Sequence, residues 1–166
     1  MKARVAASVV LALSVALGTA GCGLVAPQAT TKHYDASDGV SGSVGSIDVR
    51  NAIVVTGDDD SVGSLVVTLV NTDSKSHRVA VTAGDDSSSR AYVTVEPGQV
   101  KQVGSDPESE TGNVFFPEFS GKPGGLFPVY FQYGDNTGVQ LKVPVLSGGL
   151  PEYSSLVPPS ILPAAP

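Results

Sequence analysis

The sequence has few of the side chains that build disulfide, redox and metal sites. Its 166 residues include one cysteine, one methionine (Met1), two histidines and no tryptophan. A single cysteine cannot form a disulfide within the chain, so packing must hold any folded domain together. The histidines, His33 and His77, lie 44 positions apart, so they form a joint metal site only if the fold brings them together.

Positive charge is also scarce. The chain carries 10 Lys and Arg residues against 16 Asp and Glu, a formal net charge of −6. A surface with this balance is repelled by phosphate backbones and by anionic lipid heads. We therefore expect no nucleic-acid partner.

The N-terminal segment has the layout of a signal peptide. Lys2 and Arg4 precede an uncharged run over 5–17, and small residues at 18–21 then lead to Cys22. The run of about 13 residues is too short for a permanent helical span, which needs roughly 20. We expect residues 1–21 to be removed on export, which leaves 8 basic and 16 acidic residues.

Ala20, Gly21 and Cys22 are similar to a lipobox, in which small side chains precede a thiol that accepts diacylglycerol. The usual pattern has leucine three residues before the cysteine, and this chain has Thr19 there. The other interpretation is an incidental thiol, although an unpaired cysteine in an exported protein calls for an explanation. We predict that Cys22 carries diacylglycerol and palmitate-type acyl chains, which anchor the protein to the extracytoplasmic face of the cell membrane.

Composition divides the rest of the chain into three parts. Residues 22–45 show no sustained period and predict a flexible tether with room for one early strand. Residues 46–146 alternate β-rich runs with turn clusters, which predicts a β-sandwich domain with almost no helix. Residues 147–166 contain five prolines and predict an extended tail, either disordered or a polyproline-II stretch for a partner or the wall.

Eight runs rich in valine, threonine and tyrosine are the candidate strands. They are 47–55, 64–70, 77–82, 91–95, 100–103, 114–116, 128–133 and 139–145. The last two flank a turn at 134–138 and predict a hairpin. Pro128 and Pro144 cannot donate a ladder hydrogen bond, so we expect their strands at edges or bulges. The predicted fold class is an all-β antiparallel sandwich.

The order of these features resembles the LpqE-like cell-envelope lipoproteins of actinobacteria, which are distantly related to the periplasmic copper chaperones of the PCu(A)C type. Besides Cys22, the resemblance is found in the blocks 47–52, 65–72, 79–82, 95–99 and 143–145. These blocks extend over most of residues 47–146. The resemblance implies an immunoglobulin-like or cupredoxin-like sandwich on a lipid anchor.

The same resemblance raises the question of copper. The copper chaperones hold Cu(I) with paired methionines and histidines, ligands that suit this ion. This chain departs from that pattern, because its only methionine is Met1, which signal cleavage removes. His77 and His33 are the weak alternative metal ligands, and otherwise they are a strand-end and a linker residue. We predict no metal and no cofactor, with metal handling as the alternative function.

Motifs for catalysis are missing from residues 46–146. No Gly-x-Ser-x-Gly motif, cysteine nucleophile or phosphate loop occurs there. Acidic turns at 58–60 and 85–86 could attract a hard cation, but they lack the spacing of a calcium loop and serve equally well as solvated turns. We predict that the protein is not an enzyme.

Aromatic residues cluster in one segment rich in proline and glycine. Phe115, Phe116, Phe119 and Phe127 are either core residues or the lining of an exposed patch, since aromatic side chains often anchor interfaces. On the second interpretation they are the candidate binding residues. The predicted function is a noncatalytic envelope lipoprotein whose sandwich is a binding or structural module for another envelope protein or a wall component.

Overall fold

The fold is given by a computed structural model that describes residues 1–20, 30, 34–57, 61–84, 90–106 and 112–158. The chain divides into two compact units, residues 1–34 and 35–166. In the first unit, helix α1 spans Lys2–Ala20. No helix within the described ranges is both long enough and apolar enough to cross a bilayer. The predicted cleavage point and Cys22 lie outside the described residues.

The second unit is built mainly from strands in its described part. They are β1 (Val40–Val44), β2 (Ile47–Thr56), β3 (Val62–Asn71), β4 (His77–Ala83), β5 (Arg90–Val95), β6 (Val100–Val103), β7 (Val114–Pro117), β8 (Leu126–Gln132) and β9 (Val139–Ser147), followed by helix α2 (Pro151–Ser154). Each of the eight predicted runs coincides with one of β2 to β9, with bounds that differ by at most two residues. Strand β1 lies inside the predicted tether.

The strands form two layers that share β9. One layer, the β4 sheet, has the order β5-β4-β8-β9, and the other, the β2 sheet, continues β9-β2-β3-β6 with β1 on β2 and β7 on β3. Residues 139–144 of β9 pair antiparallel with β8, while 145–147 pair parallel with 54–56 of β2. The predicted all-β sandwich and the β8–β9 hairpin are confirmed. The parallel pair departs from a purely antiparallel arrangement, because β9 crosses from one layer to the other.

The core lies between the layers and follows the period of two that a pleated strand imposes. In β8, for example, Phe127, Val129 and Phe131 are buried, while Pro128 and Tyr130 on the other side are partly exposed. Burying a valine, leucine or phenylalanine side chain contributes roughly 1.5–3 kcal/mol. The largest side chains with almost no exposure are Phe116, Phe131, Ile47, Leu65 and Leu69, and most of the others are valines. Core packing therefore stabilises this domain, whereas disulfides stabilise many smaller secreted domains.

The expectation that the two prolines mark edge strands is wrong. Both β8 and β9 have a partner strand on each side. Pro128 precedes the β4 ladder, which begins at Val129, and Pro144 precedes the β2 ladder, which begins at Val145. Each proline pairs within the β8–β9 ladder, Pro128 with Lys142 and Pro144 with Leu126, and lies one residue before the ladder on the other side of its strand begins.

The C-terminal segment is also more regular than the expected extended tail. Pro151–Ser154 form one helical turn, with the proline at the first position where its missing N–H is harmless. The Tyr153 hydroxyl donates to the Asp38 carboxylate, which raises the pKa of Tyr153 to about 12. Residues 159–166 lie outside the described residues. In its described part the tail is thus attached to the sandwich by a specific contact.

Asn71 at the end of β3 connects three elements through one buried amide. Its side chain is 1% exposed, and its Nδ2 donates to the carbonyls of Lys75, Val95 and Glu96 at 2.7, 3.0 and 3.1 Å. Its Oδ1 accepts from the Asp73 N–H at 2.9 Å. One side chain therefore holds the β3–β4 connection against the end of β5.

We expect Asn71→Ala to lower the free energy of unfolding by about 2–3 kcal/mol, because a buried acceptor left without a donor costs roughly 1–3 kcal/mol. Urea unfolding followed by circular dichroism measures the change. Gln102→Ala, at an exposed position of β6, is the control and should change the value by less than about 0.5 kcal/mol. A loss below about 1 kcal/mol for Asn71→Ala would mean that water satisfies these carbonyls.

Candidate functional site

Several of the predicted site residues fall in parts of the chain that the structure does not describe. Cys22, His33 and the acidic turns at 58–60 and 85–86 all lie outside the described residues. His77 and the four phenylalanines lie within them.

The phenylalanine segment supplies core rather than an exposed patch. Phe116, Phe119 and Phe127 are only 1, 8 and 9% exposed, so the prediction that they line a binding surface is wrong for these three. Their rings pack together, with centroids 4.5 Å apart between Phe119 and Phe127 and 6.4 Å between Phe116 and Phe127. Phe115 is half-buried on the opposite side of β7. Glycine allows this packing, because a Cβ at Gly121 would lie 2.3 Å from the Phe119 ring.

His77 lies at one end of the sandwich, where β4 begins. Its Nε2 is 2.8 Å from Asp73 Oδ2, and the His77 side chain is 15% exposed. The imidazole packs against the Tyr133 ring, with centroids 4.3 Å apart and an interplanar angle of 39°. We name His77, Asp73 and Tyr133 the His77 cluster.

Tyr133 extends the His77 cluster to the β1–β2 turn. The ring is 8% exposed, and its hydroxyl accepts a hydrogen bond of 2.8 Å from the Ser46 N–H. The preceding Gly45 has φ of 54°, and a Cβ there would lie 2.3 Å from the tyrosine oxygen. A side chain at position 45 would therefore push the ring away from the turn.

The electrostatics of the cluster centre on Asp73. The hydrogen bond from His77 holds the pKa of Asp73 below its ordinary value of 3.8, and a second bond from the Ser74 N–H acts in the same direction. Since an ionised carboxylate only accepts hydrogen bonds, His77 Nε2 carries the proton in this contact. The imidazole nitrogen that faces the cluster is thus used as a donor and is not available as a ligand.

The donor chemistry does not fit a Cu(I) chaperone site. Cu(I) prefers thioether, thiolate and imidazole ligands, and the chain has one methionine, at position 1, and one cysteine. Within the described ranges, no group of three or more His, Cys, Asp or Glu residues could hold a metal ion. Among the described residues, Asp73 is the one acidic side chain in hydrogen-bond contact with His77.

The sequence alone did not single out Asp73, Tyr133 or Ser46. Asp73 and His77 are four residues apart in a short connection between strands, which is a signal for a local contact. Tyr133 and Ser46 are 87 residues apart, and only the pairing of the layers brings them together. The cluster connects three turns, so its evident chemistry is structural.

No family model matches the chain, and no curated protein matches it. Solved structures do match. The apo PCuAC domain from PmoF1 aligns with a TM-score of 0.51 at 13% identity, covering 65% of this chain and 99% of that domain. The copper-bound PCuAC domain from PmoF2 gives 0.49 at 14% identity, covering 65% of this chain and 98% of that one. At this identity the PmoF1 alignment shows a shared fold: the second unit is a PCuAC-like, cupredoxin-like sandwich.

We expect the Asp73 carboxyl to titrate below 3.8 in carbon-detected NMR. In His77→Phe, which removes the donor and keeps an aromatic ring beside Tyr133, its midpoint should rise toward 3.8. Because the folded pKa is lowered, the contact stabilises the fold above the ordinary pKa and is lost as pH falls through the folded value. Asp48, whose pKa is lowered by Arg50 and Ser43, is the internal control and should not move. An Asp73 midpoint unaffected by His77→Phe would contradict the contact.

Proposed function

We propose that the protein is a noncatalytic, LpqE-like lipoprotein, anchored through Cys22 to the extracytoplasmic face of the membrane, whose sandwich binds another envelope component. The observation that carries the proposal is the use of His77. In a PCuAC-like fold, the one described histidine is engaged by Asp73 and packed on Tyr133. The chain therefore has this fold, and His77 stabilises it through its contacts with Asp73 and Tyr133.

The lipid anchor is supported by the sequence. A positively charged start, an apolar run and small residues precede the only cysteine. Diacylglycerol supplies two acyl chains, and stable anchoring needs more than one. A tether between Cys22 and β1 then separates the sandwich from the lipid.

A binding role is supported by what the sandwich offers. The described strands expose polar, charged and tyrosine side chains on a rigid sheet, which is a surface suited to recognition. The sequence motifs of hydrolases and nucleotide-binding enzymes are missing from residues 46–146. A module that binds a partner needs an exposed polar surface of this kind and needs no catalytic residues.

Metal handling is the second candidate, and the PCuAC-like fold is the observation that favours it. Its difficulty is the donor set, because signal cleavage removes Met1 and acylation consumes Cys22. The histidines are then the remaining strong ligands, and His77 is engaged by Asp73. Copper affinity therefore separates the two proposals.

For the anchor, we expect Cys22→Ala to abolish metabolic labelling with radioactive palmitate, because the thiol is the only acceptor in the chain. The variant should also leave the detergent phase in Triton X-114 partitioning. Thr19→Leu restores the usual lipobox residue and serves as the matched control, which should stay labelled. Labelling that persists in Cys22→Ala would reject the lipoprotein proposal.

For copper, we expect the processed and acylated protein in neutral detergent to bind Cu(I) with a Kd of about 1 μM or weaker, since it has no methionine and no free thiol. Competition with a chromogenic Cu(I) chelator measures the affinity. His77→Ala and His33→Ala should each leave the result unchanged. A stoichiometric site about a thousandfold tighter that is lost in His77→Ala would put metal delivery in first place.

A further inference from the structure

Acidic residues are absent from every strand of the β4 sheet. The chain has 16 Asp and Glu residues, yet β4, β5, β8 and β9, all fully described, contain none. The same four strands contain Arg78, Arg90 and Lys142. Among the described strands, Asp48 of β2 is the one acidic residue, so the strands of the β4 sheet carry no carboxylate and those of the β2 sheet carry one.

The strand register places these cations on the outer side of the layer. Val79 and Val81 of β4 face the core, so Arg78, Ala80 and Thr82 face outward. Tyr92 and Gln132 lie on either side of Ala80, while Arg90 and Tyr130 lie on either side of Thr82. Lys142 and Gln140 of β9 continue the same side. We name this surface the outer β4 face.

On the outer β4 face, long arginine and tyrosine side chains surround the small side chains of Ala80 and Thr82. The Arg78 guanidinium lies over the Tyr92 ring, 4.0 Å from the centroid, and Arg90 Nε donates to Thr82 Oγ1 at 3.2 Å. Ala80 and Thr82 are each only 7% exposed although they point outward, whereas Tyr92 is 50% exposed. The surface that a partner meets therefore includes guanidinium groups, the Tyr92 ring and, on β8, the Leu126 side chain, which is 64% exposed.

We propose that the outer β4 face is the docking surface of the sandwich and that its partner is an acidic segment of another protein. The proposal rests on the binding role proposed above and names the chemistry of the partner. Arginine and tyrosine are enriched at protein interfaces and dominate their binding energy. A guanidinium stacked on a ring still offers its in-plane N–H groups to a carboxylate in two parallel hydrogen bonds.

The size and charge of the face favour a short segment. Four strands spaced about 4.8 Å apart give a face roughly 14 Å across, which accommodates one strand or one helix and not a standard interface of about 800 Å² per partner. A polyphosphate or an anionic bilayer would meet the negative charge of the whole chain. A short acidic segment interacts mainly within a Debye length of about 8 Å, so the side chains of the face affect it more than the net charge of the chain does.

The test measures binding of a fluorescein-labelled peptide of alternating glutamate and serine to the full-length chain in neutral detergent by fluorescence anisotropy. We expect saturable binding that weakens as salt rises. The double variant Arg78→Gln with Arg90→Gln should bind about tenfold more weakly or worse. Lys75→Gln with Lys122→Gln removes the same charge at exposed positions outside the face and should change the Kd by less than about threefold.

A single variant provides a test that does not depend on the stability of the double variant. Thermal unfolding by circular dichroism must match the parent chain for each variant used. If the double variant is unstable, Lys142→Gln at the exposed end of the face replaces it and should weaken binding by about threefold or more.

Three outcomes would overturn the proposal. They are no binding by the parent chain, equal losses in the two double variants, and tighter binding to phosphatidylglycerol vesicles or to polygalacturonate than to the peptide. If Cys22 is acylated, either of the first two outcomes would reject the outer β4 face as the docking surface but would not contradict the proposed lipid anchor. Loss of acylation in the parent chain would instead reject the envelope role itself.

Discussion

The division of β9 between two layers is the constraint on which the rest of the sandwich depends. Its first six residues pair with β8, and its last three pair with β2 in the parallel sense. This crossing joins the layers through backbone hydrogen bonds, so the core between them is enclosed without a disulfide. Pro144 lies at this crossing, because it is the last residue of β9 to pair with β8 and the pairing with β2 begins at Val145. The Gly148 N–H then donates to the Thr56 carbonyl at 3.0 Å and continues the contact beyond the strand.

The His77 cluster stabilises one polar end of the sandwich. Asp73 accepts from His77, Tyr133 packs on the imidazole, and the tyrosine hydroxyl accepts from Ser46. Asn71 adds three carbonyl contacts beside them. Turns that approach one another at the end of a sandwich carry backbone groups that need partners. Here side chains provide several of those partners, so the end is closed by hydrogen bonds among protein groups.

Much of the strand pattern could be predicted from the sequence, because valine-rich runs and glycine turns act locally. The runs that became β2 to β9 were found within two residues. The predictions that were wrong concerned contacts between residues distant in sequence. Pro128 and Pro144 were expected to mark edge strands, but the order of strands in a sheet cannot be predicted from one strand alone. The phenylalanines illustrate the same limit, since Phe119 packs closely on Gly63, Gly121 and the Phe127 ring, and these contacts are not visible in the sequence. The Tyr133 to Ser46 contact likewise follows from topology and not from a motif.

The charge of the strands differs from the charge of the whole chain. The net charge is −6, but Asp48 of β2 is the one acidic residue in the described strands, and the strands of the β4 sheet carry Arg78, Arg90 and Lys142. Because screening weakens fields beyond about 8 Å, a short segment in contact with the surface responds mainly to the side chains nearest to it and less to the net charge. On the outer β4 face these side chains include Arg78, which lies over the Tyr92 ring. The lipid anchor proposed above would let the sandwich use a weak contact, because a tethered module meets partners on the same surface at high effective concentration.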